Sequence, residues 1–255
     1  MATVTMYVNT DNVSTEDGWY TLNGALDSLT TGNDGDDVTI KCSGATADTE
    51  TCLFNSAGAY TLASLTIEAN RDEADGYYSG NAVISSSHYR LAVGDTVVFP
   101  LDIDDCPLVT IDGLQFDRSY TGTSESFALV LRADTGGTYT VKNCRMLNTE
   151  STATATRGIR IRDASSNALV ENNLFVNCYR ESIQYDTAQN TTAVHTVELY
   201  NNTFYSPSAN RNVRLEAGNN ATFVTNYTVQ GNTIVGSSQT HDSNISWYAG
   251  TGVTN

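Results

Sequence analysis

The residues best placed to do chemistry fall in two ladders. At one position of a recurring strand stand Asp102, Val130, Arg160, Gln184, Arg214 and Ser246. Just past the same strand stand Asp104, Arg132, Arg162, Asp186, Glu216 and Tyr248. If successive copies stack, Arg160, Arg162, Asp186, Arg214 and Glu216 gather on one outward face, with Asp186 and Glu216 one copy apart. Carboxylates and guanidinium groups in mutual reach are ingredients for acid–base work. The same charges can also simply compensate one another along a surface, each pair worth ~0.2–1 kcal/mol. Compensation is the favoured reading, because no His or Lys stands beside the cluster and the chain is strongly acidic.

A second group is Asp102, Asp104 and Asp105, with Asp112 on the following strand. Carboxylates this dense suit Ca²⁺ where carbonyl oxygens complete the shell. They lack a loop-and-glycine ligand pattern, so the sequence predicts solvated acids at a strand end. Ca²⁺ is the one cofactor it leaves in view. The five cysteines, 42, 52, 106, 144 and 178, form no CxxC pair, and with His88, His195 and His241 they make no zinc pattern. Cys42 and Cys52 could bridge in an oxidising setting, whereas Cys144 reads as packing. There is no phosphate-cradling glycine loop, Ser-His-Asp order or nucleotide motif.

The elements that must position these ladders come from one phrase written five times, at 111–116, 141–146, 170–175, 199–204 and 229–234. The steps of 30, 29, 29 and 30 residues mark a solenoid. The first position is aliphatic (Ile111, Val141, Val170, Leu199, Val229), and two residues earlier stand Val109, Tyr139, Ala168, Val197 and Tyr227. That is a strand showing one face to a core. The third position is only Gly or Asn, residues that accept a left-handed backbone, so the chain turns a sharp corner there. The fourth holds Leu114, Cys144, Asn173, Asn202 and Asn232. Three Asn stacked about 4.8 Å apart would hydrogen-bond up the ladder. The sixth, Phe116, Met146, Phe175, Phe204 and Ile234, predicts an internal apolar stack. The strand carrying the charges forms the third side of each coil.

At the N-terminus, residues 3–9 alternate as a strand. Leu22, Ala25, Leu26 and Leu29 then have helical spacing, so residues 20 to about 29 read as an amphipathic helix with Thr21 near its cap, a lid over the open solenoid end. Residues 38–42 and 65–70 read as strands, with Asn70 in the corner ladder. Between about 71 and 100 the period breaks into an acidic, aromatic insertion holding possible strands at 82–85 and 89–93. Residues 149–156 read as a low-complexity spacer loop. One more strand is expected within 244–249, followed by a short tail. We therefore divide the chain into residues 1–60 (strand, capping helix, first coil strands) and 61–255 (the solenoid body with its insertion).

Three strands per coil, an Asn-bearing corner and coils near 30 residues resemble the right-handed parallel β-helix of pectate lyases and phage tailspikes, an all-β fold. The resemblance covers roughly residues 61–249 and bears on architecture more than activity. In the lyase relatives the third-strand face carries the active site. An Arg there abstracts a proton beside a uronate carboxylate while acidic residues hold calcium; in hydrolytic relatives, paired carboxylates act as acid and as nucleophile or base. Residues 6–9, 21–26, 38–44, 88–91 and 109–114 also look like tailed-phage β-helix virion proteins. That likeness implies a particle-surface component: capsid decoration, fibre or tail appendage. The expected partners are other virion proteins, a further copy of the chain and a cell-surface glycan. The balance of 13 basic and 29 acidic residues, net −16, repels nucleic acid and acidic membranes. The first residues lack the basic start and apolar run of a signal peptide, so the expected location is the virion surface after synthesis in the host cytoplasm. The leading expectation is a non-enzymatic structural protein. The alternative is a polysaccharide depolymerase, a lyase or glycosidase, working on the charged face.

Overall fold

The computed structural model describes residues 2–11, 18–55, 61–69, 88–94, 98–120, 124–132, 136–148, 156–162, 167–186, 194–205, 212–216, 224–235 and 245–248. The chain opens with β1 (Thr3–Asn9), α1 (Leu22–Asp27), β2 (Asp37–Ser43), β3 (Cys52–Asn55), β4 (Ser64–Ala69) and β5 (Arg90–Val93). Coils of three strands follow: β6 (Leu101–Asp104), β7 (Leu108–Asp112) and β8 (Gln115–Arg118), then β9 (Ser126–Arg132), β10 (Thr138–Lys142) and β11 (Arg145–Asn148). Next come β12 (Thr156–Arg162), β13 (Asn167–Glu171) and β14 (Leu174–Val176), then β15 (Ile183–Asp186), β16 (Val194–Tyr200) and β17 (Thr203–Tyr205). The last are β18 (Val213–Glu216), β19 (Val224–Gln230), β20 (Thr233–Val235) and β21 (Ile245–Tyr248).

The strands stack into three parallel sheets. The first runs β1-β2-β4-β7-β10-β13-β16-β19, the second β5-β8-β11-β14-β17-β20, and the third β3-β6-β9-β12-β15-β18-β21. This is a parallel β-solenoid of about five coils, each near 30 residues, with little helix.

The corner between the first and second sheets works as the repeat requires. Gly113, Asn143, Asn172, Asn201 and Gly231 have φ of 78°, 56°, 56°, 53° and 69°. At Gly113 a Cβ would lie 2.2 Å from the Ala69 carbonyl oxygen, so close approach as well as handedness demands glycine there. One residue on, the Asn ladder closes. Asn173 Nδ2 donates to Asn202 Oδ1 (3.0 Å), and Asn202 Nδ2 donates to Asn232 Oδ1 (2.9 Å). Each amide also reaches a carbonyl inside the corner: Val141, Val170 and Leu199 accept from Asn173, Asn202 and Asn232 at 2.9, 2.8 and 2.8 Å.

Inside, the columns are continuous. Phe116, Met146, Phe175 and Phe204 are all buried, and the Phe175 and Phe204 rings stack with centroids 5.2 Å apart. In the last coil Tyr227, Val229 and Ile234 are only partly buried, because β19, β20 and β21 are the end strands of their sheets.

At the other end sits α1, shorter than the apolar spacing suggests. Thr21 caps it, accepting from the Gly24 N–H at 3.1 Å. Leu22, Ala25 and Leu26 pack into the core; Leu29, although buried, lies beyond the last helical residue. Asp48 fixes the helix in place. Its Oδ2 accepts from the Leu22 N–H and the Tyr89 hydroxyl, both at 2.7 Å.

Thr156, read from sequence as the end of a spacer loop, is instead the first residue of β12. The strand in the insertion is Arg90–Val93 and the last one is Ile245–Tyr248. Asn70, the strand at 82–85 and the loop at 149–155 lie outside the described residues. Cys42 and Cys52 are buried free thiols, as are the other three cysteines. No helix among the described residues is long and apolar enough to cross a membrane.

Candidate functional site

The third sheet brings the predicted ladders into register. Asp102, Val130, Arg160, Gln184, Arg214 and Ser246 follow one another across the strands, as do Asp104, Arg132, Arg162, Asp186, Glu216 and Tyr248. What differs is exposure. The first of these columns was expected to face water, yet Asp102, Val130 and Gln184 are buried. Long arginine side chains cover their neighbours, and the Arg160 guanidinium lies over the Phe127 ring, 5.2 Å from its centroid.

The charges pair across the columns. Asp186 Oδ2 accepts from Arg160 Nε at 2.9 Å and lies 2.8 Å from Arg160 Nη2. Gln184 Nε2 donates to both Asp186 oxygens, at 2.8 and 3.0 Å. Arg132 Nη2 bridges Asp102 at 3.1 Å and Asp104 at 3.3 Å. Burial pushes the Asp102 carboxyl above its ordinary pKa, and the Arg132 guanidinium offsets part of that rise. Arg162 is exposed beside Asp186 in register, and Glu216 pairs with Asp186 through the backbone ladder.

Four further charged residues, none singled out in the sequence, complete the face. Arg157 and Glu181 have fully buried side chains and form an ion pair through Nε and Oε2. Arg157 Nη2 also reaches Glu125 at 2.8 Å, Arg180 Nε stands 3.8 Å from Glu181, and Arg214 Nη1 stands 3.9 Å from it. Arg157 escaped notice because alternation fails where it sits. Ala128 and Leu129, adjacent in sequence, both pack in the core. The pairing of β12 on β9 passes over Gly158, where a Cβ would fall 2.2 Å from the Ser182 carbonyl oxygen. The available signal was that glycine inside a strand pattern, which marks a bulge or close approach.

The acidic group does not form solvated acids as expected. Asp102 is buried, and both it and Asp104 are engaged by Arg132. Asp112 is held by Lys142 at 3.6 Å and by Asn143 Nδ2 at 2.7 Å. Asp105 takes a left-handed backbone with φ 59°. Among the described residues no three His, Cys, Asp or Glu side chains converge as a metal group.

Chemically, the arrangement is a set of opposed charges paired with one another, in which Asp102 Oδ1, Arg132 Nε, Arg157 Nη1 and Gln184 Oε1 are buried without a hydrogen-bond partner among the described residues. No family model, curated protein or solved structure matches the chain.

Proposed function

We propose that this protein is a non-enzymatic structural component of a phage virion surface, a stiff rod that docks to a shell or tail protein through one flank or end. The single observation that carries the non-catalytic reading is the state of Asp186. Both of its oxygens are engaged, by Arg160 and by Gln184, so the best-placed acid of the charged face is committed to the fold. The buried Arg157–Glu181 pair supports the same reading, since removing either partner would leave the other's buried charge to partners that are partly exposed. The virion assignment rests on the likeness of the N-terminal segments to tailed-phage β-helix proteins, and the rod on the stacked Asn and Phe columns.

The test is to purify intact particles and measure this chain in them by quantitative mass spectrometry and immunogold labelling. A fixed copy number per particle, with label at regular positions, is expected. Absence from washed particles overturns the assignment. A glycan screen for new reducing ends or unsaturated uronates addresses chemistry separately: activity abolished by Asp186→Asn and by Arg214→Ala would replace this reading with a depolymerase.

A further inference from the structure

The outward face of the second sheet carries an apolar stripe with no role in the charged face. Leu147, Val176, Tyr205 and Val235 follow one another in register across β11, β14, β17 and β20. The neighbouring column runs Arg145, Leu174, Thr203 and Thr233. Strands β14, β17 and β20 contain no charged residue at all. Tyr205 and Val235 are 47% and 43% exposed, on a chain of net charge −16. Half exposed at Tyr205 and Val235, and bordered by Arg145 on β11 and Asp117 on β8, this apolar stripe is a surface on which a partner can dock.

Size and charge select the occupant. Four strands at about 4.8 Å and three residues at about 3.3 Å give a footprint of about 200 Å². A stable pairing of two whole proteins buries about 800 Å² on each side, so the stripe is too small to hold a second copy by itself. It suits one helix face. From Leu147 to Val235 is three strand spacings, about 14 Å, and helix anchors at i, i+3, i+7 and i+10 span about 15 Å. The chain's net charge of −16 favours a partner whose polar face is basic.

We propose that this stripe receives a basic amphipathic α-helix of about three turns from a partner protein, laid along the solenoid axis with its apolar side chains over Leu147, Val176, Tyr205 and Val235. This deepens the structural reading above by naming the kind of segment that docks on one flank.

The probe is a fluorescein-labelled helix of about fourteen residues with leucines on one face and lysines elsewhere. Its control is an isomer of equal composition with the leucines scattered. Fluorescence anisotropy at physiological salt is read for the parent, Val176→Ser and Tyr205→Ser. Unchanged β-sheet circular dichroism certifies the fold, and Val235→Ser on the last strand substitutes for any variant that fails it. Saturable binding to the parent is expected, weakened about tenfold or more by each substitution and by scattering the leucines. The proposal is overturned if the amphipathic helix does not bind, if the isomer binds equally, or if the substitutions change nothing, which would leave net charge as the sole attraction. Self-association of the free protein that the same substitutions abolish also overturns it, because a second copy would then own the stripe. None of these outcomes depends on whether the chain is found in particles.

Discussion

Removing the Asn202 side chain tests the corner ladder at its middle. Asn202 is fully buried and serves both neighbours. Its Oδ1 accepts from the Asn173 backbone N–H at 3.1 Å and from Asn173 Nδ2 at 3.0 Å. Its Nδ2 donates to the Val170 carbonyl at 2.8 Å and to Asn232 Oδ1 at 2.9 Å. In Asn202→Ala the Asn173 N–H loses this acceptor, a buried donor left at a cost of about 1–3 kcal/mol. Three further hydrogen bonds disappear from groups that keep other partners or relax toward them, at about 0.5–1.5 kcal/mol each. With partial relaxation the loss should come to about 3–5 kcal/mol.

Asn232 is the right comparison. It stands in the same column, but in the last coil and only half buried, so water reaches the groups that Asn232→Ala strands. That substitution should cost about 1–2 kcal/mol. Urea unfolding followed by circular dichroism measures both. The reasoning is refuted if the two variants lose equal stability, or if Asn202→Ala loses less than about 1 kcal/mol, because the column would then be a consequence of stacking and not a contributor to it.

Three other perturbations probe the core and the charged face. Phe175→Ala deletes a ring stacked on Phe204 and should cost about 3–5 kcal/mol in the same urea assay; a variant melting with the parent would mean the inner column is misassigned. Glu181→Ala takes away the buried partner of Arg157 and leaves it only the exposed Glu125 carboxylate, so it should cost up to about 3–5 kcal/mol, whereas Glu181→Leu combined with Arg157→Met should recover most of it. A double variant no better than the single one would show that packing, not the stranded charge, sets the penalty. Asp102→Asn should remove a pH dependence. Its raised carboxyl pKa means that the folded state holds the proton more tightly than the unfolded one, so the parent's contribution from this group is present at acid pH and declines as pH rises from the ordinary carboxylate value through the raised one. Relative to the parent, the variant should gain stability across that window, and a difference that stays flat with pH would contradict the assignment.

The repeat was legible because each of its columns has a single environment. A residue that is only Gly or Asn in five copies answers one backbone demand, and all five do take positive φ. The Asn and Phe columns follow from it, since stacking at a fixed spacing makes like groups neighbours. Where the sequence misled, the environment was set by something other than period. The helix α1 ends before Leu29 although Leu29 is buried, so apolar spacing recorded burial and not helical bonding. Asp48, which holds the helix N-terminus and Tyr89 together, belongs to no column. Arg157 and Glu181 lay hidden because alternation predicts facing only while strands are regular, and Gly158 marks the point where they are not.

The charged face shows why a ladder read straight up the sheet gives the wrong pairs. In the column Asp104, Arg132, Arg162, Asp186, Glu216, two neighbours are both basic and two are both acidic. Directly opposed like charges are unfavourable, so a strict column would be strained at both places. The long guanidinium side chains relieve it by leaning diagonally: Arg132 takes Asp102 as well as Asp104, and Arg160, from the adjacent column, takes Asp186. The acid that a hydrolytic mechanism would need is thereby neutralised by a residue outside its own column. Catalysis by an Asp186–Glu216 pair would require that contact to open at a cost charged to the fold. Arg160→Ala therefore decides between the two roles: it should leave a protein that is less stable and still inert toward glycans, and a gain of hydrolysis on freeing Asp186 would show that the contact restrains a catalyst.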